Sequence, residues 1–510
     1  MTPIALQTDP LYNPAMPSVR LASSVILTRG PEKEPEIFLV RRAPQLRFMG
    51  GYWAFPGGTI MQEDYLTGND PIDMAFAHCA LRELFEETGV LAGDLNEHLD
   101  SRERTRLRKA LLGSSSLHDW LQLLLAAPAA FEAMTPVCNI TTPPFSPVLY
   151  RTRFMHAPLP DGEEPAIEPG ELVEGRFYKP AEAVGSWKRG EMLIAPPNLF
   201  LLQLMARHDL STFKKEADIA AKRFAGGALH PVYFSPGIFM APLKTPTLPP
   251  ATTTNTLIIG TDTLYVIEPA TPEEDEQAAL FAKMDELIGE GKRFEAILLT
   301  HHHIDHVGAV NAVSQRYNLP VRAHPLTYDR ISEGFHHGEP LHDGDTIELG
   351  TAPDGCPDWH LSVIHTPGHA VDHLCYYDSH YQSAIVGDML STVSTILIDP
   401  PDGHMRTYLD SLKRLGDYPI KTLYPSHGPV HNDGQTLVQE FLEHRQQREN
   451  RVIEALDREP QTLDELLPKV YSDVPDAALP IASRSLLAGL IKLEEDGLCE
   501  KSRHGWLLHQ

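Results

Sequence analysis

Sulfur is scarce in this sequence. Its 510 residues hold five cysteines, Cys79, Cys138, Cys356, Cys375 and Cys499, odd in number and without paired spacing. That pattern excludes a disulfide framework and a cysteine zinc cluster. Long apolar runs are missing too: none approaches the ~20 residues that cross a bilayer. The opening MTPIALQTDPLYNPAMPSV lacks the basic start and apolar stretch of a secretory leader. The expected address is the cytoplasm, with reduced thiols and no membrane partner. Positive charge is also short, 43 Lys and Arg against 69 Asp and Glu, for a formal net charge of −26. Broad, non-specific nucleic-acid binding depends on neutralising phosphates with cations, so this balance argues against it. What remains, 42% hydrophobic and 22% charged residues, is the composition of a globular protein. At about 150 residues per domain the length predicts three domains.

From 19 to 42 two apolar, strand-like runs, VRLASSVILT and EIFLVRR, flank the polar turn RGPEKEPE and predict a hairpin. In MAFAHCALRELFEETG, the residues Ala77, Ala80, Leu81, Leu84 and Phe85 fall at the offsets of a buried helical stripe. Gly89 follows where a left-handed cap belongs. More helices and two strands, VLYRTRFMHA and LVEGRFYKP, are expected up to about 215. Beyond 230 the text changes to short apolar strands, among them NTLIIG, TLYVIEP, FEAILLT, LSVIHTPG, HLCYYD, SAIVGD and TLYPSHG. These predict a large α/β domain from 230 to 440. TPTLPPATTT is expected to be a loop near its start. The tail predicts three helices, one opening on a Thr462-x-x-Glu465 capping box, and a terminal hairpin, which together suggest a winged-helix unit.

Residues 301 to 306 hold four histidines and an aspartate directly after the apolar run AILL. A single histidine there would be a satisfied core or surface group; four ligand-type residues at this spacing make that reading improbable. Zinc prefers imidazole nitrogen and carboxylate oxygen, and a catalytic site keeps one coordination position open. Alternate residues of a loop leaving a strand point to one side, so His301 and His303 suit one metal while Asp305 and His306 reach a second.

The pattern His-x-His-x-Asp-His resembles the signature of the metallo-β-lactamase superfamily. The resemblance continues through TPGHA, with His369, IVGDM, with Asp388, and YPSHGPV, with His427. It implies an αββα sandwich holding two zinc ions, or iron or manganese. His301, His303 and His369 would hold the first metal and Asp305, His306 and His427 the second, with Asp388 bridging. Asp305 would also orient the attacking water. Where the family has an aspartate after its second strand, this chain has Glu268, a departure that touches support of the site. His302 is expected to point away as a loop or surface histidine. The implied chemistry is hydrolysis, of a thioester, phosphodiester, lactone or lactam. With its winged-helix tail the domain resembles the β-lactamase-like subgroup that includes glyoxalase-II-like hydrolases and a single-strand endoribonuclease.

Upstream, RELFEETG sets Glu83, Glu86 and Glu87 on one helical face, where bare carboxylates repel. An acidic face is usually only solvated, yet Mg²⁺ would relieve the repulsion. The string resembles the Nudix box: Gly57, Gly58 and Glu63 match its start and Arg82, Glu83, Leu84, Glu86, Glu87, Gly89 and Val90 its end. The gap from Glu63 to Arg82 is longer than the family pattern. The resemblance implies an α/β/α sandwich in which Glu83, Glu86 and Glu87, joined by Glu63, hold Mg²⁺ or Mn²⁺ and Arg82 orients the helix. Glu83 is the expected catalytic group. Preceding the box, RAPQLRFMGGYWAFPGG resembles the motif of coenzyme A diphosphatases, through Arg42, Ala43, Arg47, Gly51 and Phe55 to Gly58. Arg42 and Arg47 suit bidentate contact with phosphates.

The expectation is therefore an α/β and α+β multidomain chain: a Nudix domain over 1–220, a metallo-β-lactamase-fold domain over 230–440 and a winged-helix tail over 441–510. Its function would be metal-dependent hydrolysis at two sites. One cleaves a diphosphate linkage in coenzyme A or a related nucleotide, and the other an ester or thioester such as acyl-CoA or hydroxyacylglutathione. Two alternatives stand beside it: an endoribonuclease acting on single-stranded RNA, and a Nudix part that only senses a nucleotide.

Overall fold

The computed structural model describes residues 19–46, 49–65, 71–113, 117–127, 129–146 and 148–509. They form two compact units, one of residues 19–143 and 148–236 and one of residues 144–146 and 237–509.

In the first unit the expected hairpin forms, with Arg20–Arg29 antiparallel to Glu36–Arg42 and Thr28 opposite Ile37. Arg20–Arg29 also runs parallel to Tyr150–Pro158, which pairs with Thr135–Thr141. Successive side chains of a strand point to opposite faces. Val25 and Leu27 accordingly join the core beneath the helix Ile72–Thr88, whereas Ile26 joins Leu199, Leu202 and Phe213 from Pro196–Met205 and Leu210–Ala225. Helices thus cover both faces of the sheet. The Ile72–Thr88 helix buries Ala80, Leu81, Leu84 and Phe85 completely or nearly so, and Phe85 stacks on Trp120 at 5.6 Å. Burying an aromatic side chain of that size contributes about 1.5–3 kcal/mol. Gly89 ends the helix at φ 71°, donating its N–H to Phe85 O at 2.8 Å. Residue 220 lies inside Leu210–Ala225.

The second unit contains two sheets. One has the order His336–His337, Pro320–Arg322, Arg293–Leu298, Thr263–Ile267, Thr253–Gly260, Ile238–Lys244; the other has Thr346–Gly350, Trp359–His365, Leu374–Asp378, Ser383–Gly387, Thr422–Pro425. They meet through Tyr265, whose hydroxyl donates to Glu348 O at 3.1 Å, and Tyr376, whose hydroxyl reaches Leu299 O at 2.5 Å. The helices Glu274–Gly289 and Val310–Tyr317 pack on the first sheet. Met405–Gly416 and Gly434–Ala455 bury Tyr408, Leu412, Val438 and Phe441 against Ile364, Ala384 and Val386 of the second. Four of these strands, Ile238–Lys244, Pro320–Arg322, His336–His337 and Thr346–Gly350, and Thr135–Thr141 of the first unit, lie outside the expected set. Pro136, Pro242 and Pro320 belong to three of them, and proline ordinarily argues against a paired strand. Thr253–Gly260 also begins within the expected TPTLPPATTT loop.

The tail folds as predicted. Thr462 Oγ1 accepts from Glu465 N and caps Leu463–Val470, Leu479–Glu495 follows, and Cys499–Ser502 pairs with Gly505–Leu508. Leu466, Leu486, Leu490, Leu493 and Trp506 share a core with Val452 of the helix Gly434–Ala455, which spans residue 441. Among the described residues no helix is long and apolar enough to cross a membrane.

Candidate active sites

The histidine-rich stretch leaves the strand Arg293–Leu298 at its carboxyl end, and His369, Asp388 and His427 follow the carboxyl ends of Trp359–His365, Ser383–Gly387 and Thr422–Pro425. Strand direction therefore delivers all four segments to one rim. His301 Nε2 and His369 Nε2 each lie 3.0 Å from His303 Nδ1. Two nitrogens sharing a tetrahedral zinc at about 2.0–2.1 Å would be about 3.3 Å apart, so this trio matches one ion. Asp305, His306 and His427 form a second group able to share an ion. There His427 Nε2 stands 3.4 Å from Asp305 Oδ2 and His306 Nε2 3.6 Å from Asp305 Oδ1. Asp388 spans both groups, 3.5 Å from His369, 3.7 Å from His306 and 3.4 Å from His427. All seven residues expected from the sequence are thus brought together.

The outward nitrogen of each imidazole is engaged elsewhere, which turns the other inward. His301 Nδ1 meets Thr300 Oγ1 at 2.9 Å, His306 Nδ1 meets Glu268 Oε1 at 3.0 Å, His369 Nδ1 meets Leu397 O at 2.8 Å and His427 Nδ1 meets Thr253 O at 3.0 Å. Hydroxyl, carbonyl and carboxylate partners fix those nitrogens as N–H, leaving Nε2 as the nitrogen that faces the group. Burial pushes His301 far down, and His369 down to about 4, so both present neutral imidazole. His427 is buried, which opposes charge, yet Asp388 and Asp305 raise it to about 10. His306 Nε2 and Asp388 Oδ1 are buried and make no hydrogen bond among the described residues. Unpaired buried polar atoms are costly. Inward imidazole nitrogens, two of which would give up a proton to a cation, ionised carboxylates and two orphaned atoms form a donor set that fits divalent cations.

Several supporting residues were not identified from the sequence. His373, fully buried and pushed down to about 3 by burial, accepts the Asp388 backbone N–H at 3.0 Å. Gly387 leaves no room beside it: at φ 52° a Cβ would meet His373 Nε2 at 2.4 Å. His302 does turn away from the group. It lies in a loop, as expected, and is half-buried there, its Nδ1 2.8 Å from the buried carboxylate of Asp372. Glu268 occupies the position of the expected aspartate and also receives hydroxyls from Thr300 and, at 2.6 Å, Ser426. These partners are 32 and 158 residues away in the chain, beyond any local pattern.

In the first unit the carboxylate helix sits beside the Gly57–Thr59 strand. Gly57 N donates to Glu87 Oε2 at 2.8 Å, and a Cβ at Gly58 would strike Glu83 Oε1 at 2.3 Å. Buried Arg82 donates Nε and Nη2 to both oxygens of Asp64 at 2.9 Å, and Nη1 to Glu83 at 2.8 Å and Glu86 at 3.3 Å. This is the ion pairing expected of Arg82, with Asp64 as the bidentate partner. From behind, Arg108 donates to the carbonyls of Glu86 at 3.0 Å and Glu87 at 2.9 Å, closing the last turn. Burial raises Glu83 to about 7, lifts Glu86 and lifts Glu87 further, Glu83 adding repulsion to Glu87. Desolvated carboxylates this crowded would be stabilised by a cation, although among the described residues their oxygens do not converge as the histidine-rich groups do. Arg42 closes the strand Glu36–Arg42 and its charge offsets part of the penalty on Glu87. Arg47 and the side chain of Glu63 lie outside the described residues.

Residues 19–133 match the NUDIX domain, 249–427 the Metallo-beta-lactamase superfamily and 462–506 the Beta-lactamase associated winged helix domain. Beta-lactamase-like protein 2 homolog of Caenorhabditis elegans is 29% identical over 252 residues, 48% of this chain and 80% of that protein. Atrochrysone carboxyl ACP thioesterase nsrC of Aspergillus novofumigatus is 28% identical over 258 residues, 48% of this chain and 74% of its own. A NUDIX hydrolase structure from Alicyclobacillus acidocaldarius aligns at TM-score 0.33 with 25% identity, covering 39% of this chain and 97% of that one. This chain is a hydrolase that joins a NUDIX domain to a metallo-beta-lactamase superfamily domain with its associated winged helix domain.

Proposed function

We propose that the chain carries two hydrolytic sites, one cleaving a diphosphate linkage in coenzyme A or a related nucleotide, the other an ester or thioester such as an acyl-CoA. The convergence of His301, His303 and His369 beside Asp305, His306 and His427, with Asp388 reaching both groups, carries the second half. Those seven residues would hold two zinc, iron or manganese ions. When bound, such cations acidify a water and polarise a carbonyl. Asp305 is kept ionised against burial by His306 and His427, so its carboxylate can accept a hydrogen bond from the attacking water and aim it. The thioester preference draws support from the Aspergillus novofumigatus relative, named as an acyl carrier protein thioesterase.

At the other site Glu83, Glu86 and Glu87, with Glu63, would hold Mg²⁺ or Mn²⁺ against the diphosphate. The Arg82–Asp64 pair holds the helix in register with the glycine strand, so the three carboxylates reach the substrate as one rigid set. Arg42 and Arg47 would meet the coenzyme A phosphates. The endoribonuclease reading is weaker, because the cations of Leu479–Glu495 are already paired, Arg484 with Asp399 and Lys492 with Glu449 and Asp496.

Mass-spectrometric product analysis after separate incubation with coenzyme A, an acyl-CoA and a short RNA tests the reading. Formation of 4′-phosphopantetheine with adenosine 3′,5′-bisphosphate, and of free coenzyme A from the thioester, is the expected result. RNA fragments with both coenzyme A substrates intact would overturn it.

A further inference from the structure

Between the strand Ser383–Gly387 and the helix Met405–Gly416, the segment 396–404 has no regular secondary structure, yet it touches two histidines of the first trio. Leu397 O takes the Nδ1–H of His369 at 2.8 Å. The Asp402 carboxylate stands 3.4 Å from His303 Nε2 and 3.7 Å from His302 Nε2. His303 offers Nδ1 to the trio, so Nε2 is its outward nitrogen and Asp402 is the group that faces it. Asp402 Oδ2 makes no conventional hydrogen bond among the described residues; it is aimed at these two rings.

The other side of the segment is gripped by the tail. Arg484 reaches Asp399 at 2.6 Å, Glu495 takes His404 at 2.8 Å and Arg406 at 2.9 Å, and Asp496 takes Arg406 at 2.5 Å. Buried Arg445, on the helix entering the tail, donates to Ile396 O beside Leu397 and lies over the Tyr408 ring at 5.2 Å. Exposed ion pairs add little to stability one at a time. Four on this segment and the first turn of the helix that follows it serve better to fix where the backbone runs.

We propose that the winged helix is part of the scaffold of the metal centre: segment 396–406 is a strap whose Leu397 carbonyl and Asp402 carboxylate set the outward nitrogens of His369 and His303, and the tail holds the strap in place. Asp402 is a positioning residue, acting through His303. A carboxylate on the far nitrogen fixes the tautomer and strengthens the donor, and loss of such a partner lowers metal affinity about 10- to 100-fold. The proposal rests on the metal reading of the trio.

The test uses the full-length protein stripped of metal, titrated with Co²⁺ while its visible d–d absorption is followed, and with Zn²⁺ against a chromophoric chelator. D402N is expected to weaken one of the two metal equivalents about 10- to 100-fold and to change its cobalt band. The double variant R484A/E495A is expected to weaken the same equivalent severalfold while the metal-free protein melts like the parent. D473N, which removes the ion pairs of Arg448 and Arg451 away from the strap, serves as control and should leave both equivalents unchanged. Unchanged affinity and spectrum in D402N, or equal losses in R484A/E495A and D473N, would overturn the proposal. A parent protein that binds no cobalt or zinc would instead overturn the metal reading beneath it.

Discussion

Glu268 should be the residue on which the histidine-rich site depends most outside the metal-facing set. Its carboxylate is 1% exposed and receives Thr300 Oγ1, Ser426 Oγ and His306 Nδ1. Glu268→Ala leaves three buried polar groups without an acceptor, at about 1–3 kcal/mol each, or about 3–9 kcal/mol together. Whole domains are stable by only about 5–15 kcal/mol. Each kcal/mol shifts melting by about 2–4 °C in a domain of this size, so the unit of residues 237–509 should melt at least about 6 °C lower. Glu268→Gln keeps the volume and one carbonyl oxygen, and Ser426 can turn to accept from the amide. The exchange of charge-assisted for neutral hydrogen bonds costs about 1 kcal/mol each, so it should fall between Ala and the parent. Glu268→Asp tests reach: φ is 52° here, a region aspartate tolerates better than glutamate, but the shorter side chain cannot serve all three donors. Scanning calorimetry of the metal-free variants gives the order, and chelator competition should show Gln weakening zinc about 10- to 100-fold through His306. A melting point for Glu268→Ala within 2 °C of the parent, on the order of 1 kcal/mol or less, would refute this account.

Glu83→Gln should abolish coenzyme A diphosphate cleavage by at least about 100-fold while leaving thioester hydrolysis intact, as product assays on one preparation would show. Breaking the buried pair with Arg82→Ala should destabilise the first unit by about 3–5 kcal/mol, measured by urea unfolding. Because burial lifts Glu83 to about 7, Mg²⁺ must displace a proton below that pH. Its affinity should therefore fall as pH drops through 7, with proton release visible by calorimetry in buffers of different ionisation heat. His156 is held neutral by burial, down at about 4 against an ordinary 6.5, with Lys214 adding repulsion. Its contribution is complete above pH 6.5 and is lost as pH falls toward 4, up to about 3 kcal/mol, because the unfolded chain takes up the proton first. His156→Gln should flatten that part of the acid unfolding curve.

The residues facing the two sites were legible because each motif is local. His301 to His306 and Glu83 to Glu87 follow the periods of a loop and a helix, and the strand runs before His369, Asp388 and His427 announce their own carboxyl ends. What was not legible is pairing at a distance. Nothing in a single sequence says that His373 will hold the Asp388 backbone, that Asp402 will face His303, or that Asp64 rather than its neighbour will receive Arg82. The same limit hid the strands Thr135–Thr141 and Ile238–Lys244. Their prolines speak against a strand locally, and pairing with neighbouring strands outweighs that preference.

The seven residues proposed to hold metal are divided between the two sheets: His301, His303, Asp305 and His306 follow a strand of the first, whereas His369, Asp388 and His427 follow strands of the second. Neither sheet alone supplies the full set, so on the metal reading high affinity would require the docked sandwich. A bound ion would then act as a staple across the seam, adding RT ln(1 + [L]/Kd) to its stability, about 4 kcal/mol at a thousandfold excess over Kd. Chelation would thus do more than silence a reaction. It would loosen the seam and open the loops around Asp305 and Leu397 to proteases, making resistance to digestion a gauge of how much metal the protein carries.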